Sequence, residues 1–226
     1  MKIERTKYLK QQQIDKIKHC VIMYGGGTQS TGMTLMALND EFDIKPSFAI
    51  FADTGAEPQH VYDYLQYFID YVKRQYDFDI ITVSAGNLEK DINEYLNGNI
   101  SRVAQIPIYT DTGILIRQCT NDYKIAPADK YIKQQFNIQR KNKTQENSVA
   151  CMMGISVDEV QRIKQSTQWW KTLLYLLIEH GYRRDETIRY IKKHNLKEPP
   201  RSSCYFCPFP LPLILEMAQR KSSNRI

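Results

Sequence analysis

The chain has 226 residues, 42% of them apolar and 25% charged, which is enough for one large globular domain or two small ones. No apolar run reaches membrane-spanning length and no signal-peptide pattern opens the chain, so no membrane partner is expected and a cytoplasmic protein is predicted. The formal charge of +6 suits an anionic partner such as a nucleotide or nucleic acid but does not identify it.

The elements are read in chain order. The polar N-terminus, MKIERTKYLKQQQIDKIKH, predicts a helix. Cys20 to Tyr24 is a short buried strand that stops at Gly25-Gly26-Gly27. A helix follows from Ser30 to Leu38, with Ser30 or Thr31 near its N-cap. Pro46 to Ala52 is a second buried strand, ending at Asp53-Thr54-Gly55. Val61, Tyr64, Leu65, Phe68, Ile69 and Val72 recur at helical spacing and predict a long helix over Glu57 to Tyr76. Phe78 to Val83 is a third strand and Leu88 to Leu96 a further helix. Strands alternating with helices of this length predict an α/β fold, an open and mostly parallel sheet with helical crossovers.

Asn99 to Thr120 is irregular, Tyr123 to Phe136 helical, and Asn137 to Ser148 an exposed polar loop. Val149 to Ile155 predicts a fourth sheet strand. Ser156 and Glu159 have capping-box spacing at the start of the next helix. Helices are predicted over Trp169 to His180, Arg184 to His194 and Leu211 to Arg220, giving a helical C-terminal part. The natural division is a nucleotide-binding core over 17–136 and a C-terminal part over 149–226, packed as one unit.

Three successive glycines are costly to order. Their place at the carboxyl end of a strand, before a helix, is where open α/β sheets bind ligands. Amides of Gly26, Gly27 and Thr28, with the hydroxyls of Ser30 and Thr31, can converge there on an anion. The loop is neither a Walker A sequence nor GxGxxG. A tight packing turn without a ligand is the plain alternative.

GGGTQS resembles the SGGxDS pyrophosphate loop of the PP-loop ATP pyrophosphatases. FADTG, ending at Gly55, is similar to a second signature of the phosphoadenylyl-sulfate reductase-like branch. RQCTNDYKIAPADKYI, Arg117 to Ile132, is similar to that branch's cysteine-and-lysine segment. GISVDEVQR and PRSSCYFCPF resemble a subgroup common in phages and bacterial mobile elements. The matches run in one order from Val21 to Phe209.

The resemblance implies a PP-loop, adenine nucleotide alpha hydrolase-like fold that binds ATP with Mg2+. It implies nucleotide contacts from Gly25, Gly26, Gly27, Thr28, Gln29, Ser30, Thr31, Asp53, Thr54, Gly55, Arg117 and Arg184, with Asp53, Ser30 and Lys124 as catalytic residues. Gly25 stands where the loop usually has Ser, and Gln29 where it usually has Asp. Neutral Gln is a poorer ligand for a hard cation, so the metal-side carboxylate falls to Asp53.

Five cysteines with no secretion signal argue against a disulfide framework. Cys204 and Cys207 form a CxxC compatible with a metal, an iron–sulfur cluster or a redox pair. The resemblance adds Cys119 as a third ligand, with Cys151 a fourth candidate in an apolar run that equally suits a core thiol. A [4Fe–4S] cluster is the expectation; zinc or no metal is the alternative.

The expected function is adenylation of a substrate with release of diphosphate, leading to sulfur transfer to a nucleotide or to nucleic acid such as tRNA or DNA. A sulfur donor would be a partner and an oligomer is compatible. Sulfonucleotide reduction with a thioredoxin-like reductant is the alternative, weakened because no cysteine follows Cys207. A non-catalytic nucleotide- or nucleic-acid-binding phage or defence factor is the third. Arg162 and Arg183 are further phosphate candidates, Trp169 and Trp170 candidate base-stacking residues, and Arg140 to Lys143 a candidate nucleic-acid contact.

Overall fold

The computed structural model describes residues 16–107, 109–110, 113–114, 117–139, 146–205 and 207. The expected helices at the N-terminus and over Leu211 to Arg220 fall on residues 1–15 and 208–226, outside this set except for the last residues of the first, and the basic loop 140–143 lies wholly outside it.

Five parallel strands form one open sheet: β1 (His19–Tyr24), β2 (Phe48–Asp53), β3 (Ile80–Ser84), β6 (Val149–Met153) and β7 (Lys171–Leu174), in the order β3-β2-β1-β6-β7. The crossover helices are α1 (Thr28–Leu38), α2 (Gln59–Tyr76) and α3 (Leu88–Leu96). A two-stranded antiparallel ladder, β4 (Tyr109–Thr110) and β5 (Gly113–Ile114), stands apart from the sheet. A π-helical turn (Asn121–Ile125) runs into α4 (Ala126–Gln135). Beyond β6 come a 3-10 turn (Val157–Arg162), the short α5 (Leu176–Glu179) and α6 (Arg184–Lys193).

The central strands β1 and β6 are buried on both faces, as parallel strands covered by helices are, whereas the edge strand β3 leaves Thr82 and Ser84 exposed. Alternate residues divide between two cores. Cys20, Ile22, Tyr24, Ala49, Phe51, Ala150 and Met152 join α1, α2 and α6 on one face. Val21, Ile50, Val149 and Cys151 meet Ala128 and Ile132 of α4, with Trp170, on the other. α1 and α6 approach closely: a Cβ on Gly32 would lie 3.0 Å from Cβ of Thr187.

Four local expectations are corrected. α1 begins at Thr28 with Gly27 as N-cap, not at Ser30. Residues 169–180 hold β7 and a four-residue helix, not one long helix, so the described residues of the C-terminal part supply two strands. Ser156 makes no side-chain cap bond; its hydroxyl turns to Asp158 at 3.3 Å, and Glu159 reaches Gln29 instead of closing a capping box. The predicted helix over Tyr123 to Phe136 opens as a π turn.

Candidate functional site

The chain leaves β1 toward β2 on one side, while β6 pairs on the other side of β1. This is the topological switch point, where the crevice beyond the strand ends opens. Gly25-Gly26-Gly27 follows β1 there, and Gly154 follows β6.

The glycines have different reasons. Gly26 has φ +74°, a left-handed value that favours glycine. A Cβ on Gly154 would lie 2.7 Å from both the backbone N and Cα of Ser30, so this glycine lets the β6 exit touch the first turn of α1. Gly27 needs neither freedom: its φ is −105°, and no described residue lies within 4 Å of where a Cβ would stand.

Behind Gly27, the first amide bond within α1 runs from Thr31 N–H to the Gly27 carbonyl at 3.0 Å. The amides of Thr28, Gln29 and Ser30 precede it and have no intrahelical acceptor. No side chain caps this end, and no acidic residue stands in its first turn. The positive end of the helix dipole is thus presented at the open side of a glycine turn, an arrangement suited to an anion.

Polar side chains surround it. Arg184 Nη2 donates to Thr28 Oγ1 at 3.3 Å, and Ser30 Oγ donates to the Gly27 carbonyl at 3.0 Å. Gln29 Nε2 donates to Glu159 Oε2 at 3.1 Å, while Arg162 pairs with the other oxygen of Glu159 at 2.7 Å. Asp158 accepts from the Arg184 amide and pairs with Arg183 at 3.2 Å. The Arg184 amide, with help from Arg183, holds the Asp158 carboxyl below its ordinary range. Thr31 turns inward: it is fully buried and its hydroxyl bonds Tyr24, so its place is the core beneath the turn.

The end of β2 builds the neighbouring wall. Asp53 Oδ1 accepts from the Gly55 amide and from the Tyr62 hydroxyl, both at 2.8 Å, so the two bonds end on one oxygen. Burial, and then the bond to Asp53, push the Tyr62 phenol up, so it remains a donor. Gly55 has φ +68° and a Cβ there would strike Asn87 at 2.6 Å, which fixes the β2 turn against the start of α3.

Next to it lies Glu57, whose side chain is 1% exposed and pairs with Lys124 at 3.3 Å. The Ser202 hydroxyl donates to the other Glu57 oxygen, also at 3.3 Å. Ser202 in turn faces Gly26, its Oγ 3.4 Å from the Cβ position. Thr54 Oγ1 meets Cys204 Sγ at 3.4 Å, and the Tyr205 amide donates to the Ala56 carbonyl at 3.1 Å. The stretch 202–205 is therefore strapped across the end of β2 beside the glycine turn.

Cys119, Cys204 and Cys207 share this neighbourhood. Burial pushes the Cys119 thiol up, Arg117 and Lys124 pull it down, and the two CxxC thiols are close enough to act on it. Burial likewise raises Cys204, against the Thr54 hydrogen bond and Lys124. Among the described residues, no three His, Cys, Asp or Glu side chains converge as a metal-binding group. The described positions of the thiols thus do not form a cage for a cluster or zinc. Cys151 lies elsewhere, inside β6 in the core with Val21 and Trp170, and the charged groups that act on it are Lys171 and Asp129. Trp170 is fully buried in the same core, which removes it as a base-stacking surface; Trp169 packs against that core.

Glu57, Tyr62, Glu159 and Ser202 were not singled out from the sequence for this site. Glu57 stands just before a helix and Glu159 fits a capping pattern, so each had a sufficient local explanation. Only tertiary contact reveals their partners. No protein-family model matches the chain, and no curated protein matches it.

Proposed function

We propose that this chain is a PP-loop enzyme that binds ATP at the glycine turn and adenylates a substrate with release of diphosphate, as the first step of sulfur transfer to a nucleotide or nucleic acid. One observation carries the reading: an uncapped helix N-terminus behind a three-glycine turn at the switch point of a parallel sheet. The amides of Thr28, Gln29 and Ser30 stabilise the charge that grows on the departing diphosphate. The Arg184 guanidinium, on Thr28 Oγ1, adds a positive charge at that end. Asp53 suits Mg2+ or the ribose, because Gly55 and Tyr62 fix one of its oxygens and thereby aim the carboxylate. Mg2+ supplies charge neutralisation when bound. The thiols of Cys119, Cys204 and Cys207 beside the same turn supply the link to sulfur chemistry, and no step is routed through a metal on them.

The closeness of Cys204 to Thr54 also favours a second reading at the same site, sulfonucleotide reduction by a thiol. Product analysis separates the two. ATP and Mg2+ with a mixed tRNA pool as acceptor should give diphosphate and adenylated tRNA, and added sulfide should then displace AMP. ADP with phosphate, or no nucleotide binding, rejects the first reading. Sulfite release from adenylyl sulfate with a thiol reductant would establish the second. Tight ATP binding without any product would mark a binding module.

A further inference from the structure

A cavity of about 320 Å3 opens beyond the carboxyl end of β3, bounded by α3 and the π turn. Its size is at the small end of the roughly 300–1,000 Å3 range of small-molecule sites. Asp91 of α3, Asp122 and Tyr123 of the π turn, and Arg102 give it polar corners; Ile100 and Val103 give it apolar sides. The Tyr123 hydroxyl donates to Asp91, and burial followed by that bond raises the phenol, so Tyr123 stays the donor and orients the Asp91 carboxylate. Asp122 accepts from Asn121 on Oδ1 only, in a bond of 2.9 Å. No hydrogen bond or ion pair is described for Arg102.

Apolar sides from Ile100 and Val103, with two carboxylates and one guanidinium, suit a heterocycle whose edge carries donors and an acceptor. The carboxylates call for neighbouring N–H donors and the guanidinium for a carbonyl. A guanine edge has that pattern, with a ring N–H and an amino group beside a carbonyl oxygen. Uracil offers a single N–H between two carbonyls, and adenine has no carbonyl.

The location gives this cavity a role. β3 lies two strands from β1, so about 10 Å separates the two strand ends at ordinary strand spacing. Cys119 packs against the small core of Leu88, Ala104 and Tyr123 that floors the cavity, and it is also within electrostatic reach of Cys204 and Cys207. Tyr205, next to Cys204, hydrogen-bonds Glu89 in the first turn of α3. The thiols therefore stand between the cavity and the glycine turn.

We infer that the cavity formed by Asp91, Arg102, Asp122 and Tyr123 binds a nucleobase with the donor–donor–carbonyl edge of guanine. That this base belongs to the acceptor rests on the proposed ATP reading; that it binds does not. The test uses the full chain without ATP, titrated by calorimetry with guanosine, inosine, adenosine and uridine. Guanosine should bind, and inosine, which lacks the amino group, should bind about tenfold more weakly, in line with the loss of one hydrogen bond to a charged group. Asp122→Asn and Arg102→Ala should each weaken guanosine at least tenfold while leaving the thermal melt unchanged, since Arg102 is exposed and asparagine keeps the shape of the half-buried Asp122 side chain. Equal affinity for all four nucleosides, no binding of any, or unchanged guanosine affinity in both variants would overturn the inference. ATP turnover, measured separately, bears only on the acceptor role.

Discussion

Gly27 and Gly154 separate what the fold requires from what a ligand requires. Gly154 is held by sterics: its Cβ would lie 2.7 Å from Ser30 backbone atoms, so Gly154→Ala should cost about 1–3 kcal/mol in urea unfolding as the β6 exit is pushed off α1. Gly27 has extended backbone and open space, a conformation in which serine is the better N-cap. Gly27→Ser should leave stability unchanged or raise it by a few tenths of a kcal/mol, because its hydroxyl caps amides that have no intrahelical acceptor. The same variant should weaken ATP binding at least tenfold, as the internal cap competes for those amides. Unchanged ATP affinity would remove the phosphate from this helix end. Gln29 can be read at the same scale. The sequence shows it as a neutral residue in the glycine turn; the fold gives that glutamine a carboxylate partner in Glu159.

At the scale of elements, β1 to β3 and α1 to α3 were legible because hydrophobic period and turn residues agree there. The errors occur where local pattern and tertiary contact conflict. Residues 169–180 are apolar enough to suit helix or strand, and such a run is ambiguous by periodicity. Lys171 made a buried strand look unlike one, and its partner is 42 positions away: Lys171 of β7 is 7% exposed and pairs with Asp129 of α4, which is 8% exposed. That pair fastens the edge strand to the helix over it. Asp129→Ala should therefore cost roughly 3–5 kcal/mol, the usual penalty for stranding a buried charge, measured by urea unfolding. A loss below about 1 kcal/mol would mean that Lys171 finds water and the pair holds nothing. The π turn was also illegible, since Tyr123, directed to Asp91, and Lys124, directed to Glu57, read as ordinary helix in the sequence.

Across the whole molecule, the chemistry-bearing residues gather at one edge of the sheet. The glycine turn, Asp53, the Thr54–Cys204 contact, the Glu57–Lys124–Ser202 group and the β3 cavity all lie beyond carboxyl strand ends. The sequence indicated the glycine turn, Asp53 and the three thiols, because loop position and residue type mark them. It did not indicate the strap of 202–205 or the cavity, because both arise from residues more than a hundred positions apart or from three separate segments. No described helix is long and apolar enough to cross a membrane. The central claim is that a triphosphate sits on the first turn of α1. Amide NMR during titration with Mg2+ and ATP tests it most directly. The largest shifts should fall on Gly26, Gly27, Thr28, Gln29 and Ser30, with a second set at Arg184; shifts centred elsewhere, or none at saturating ATP, would contradict the account.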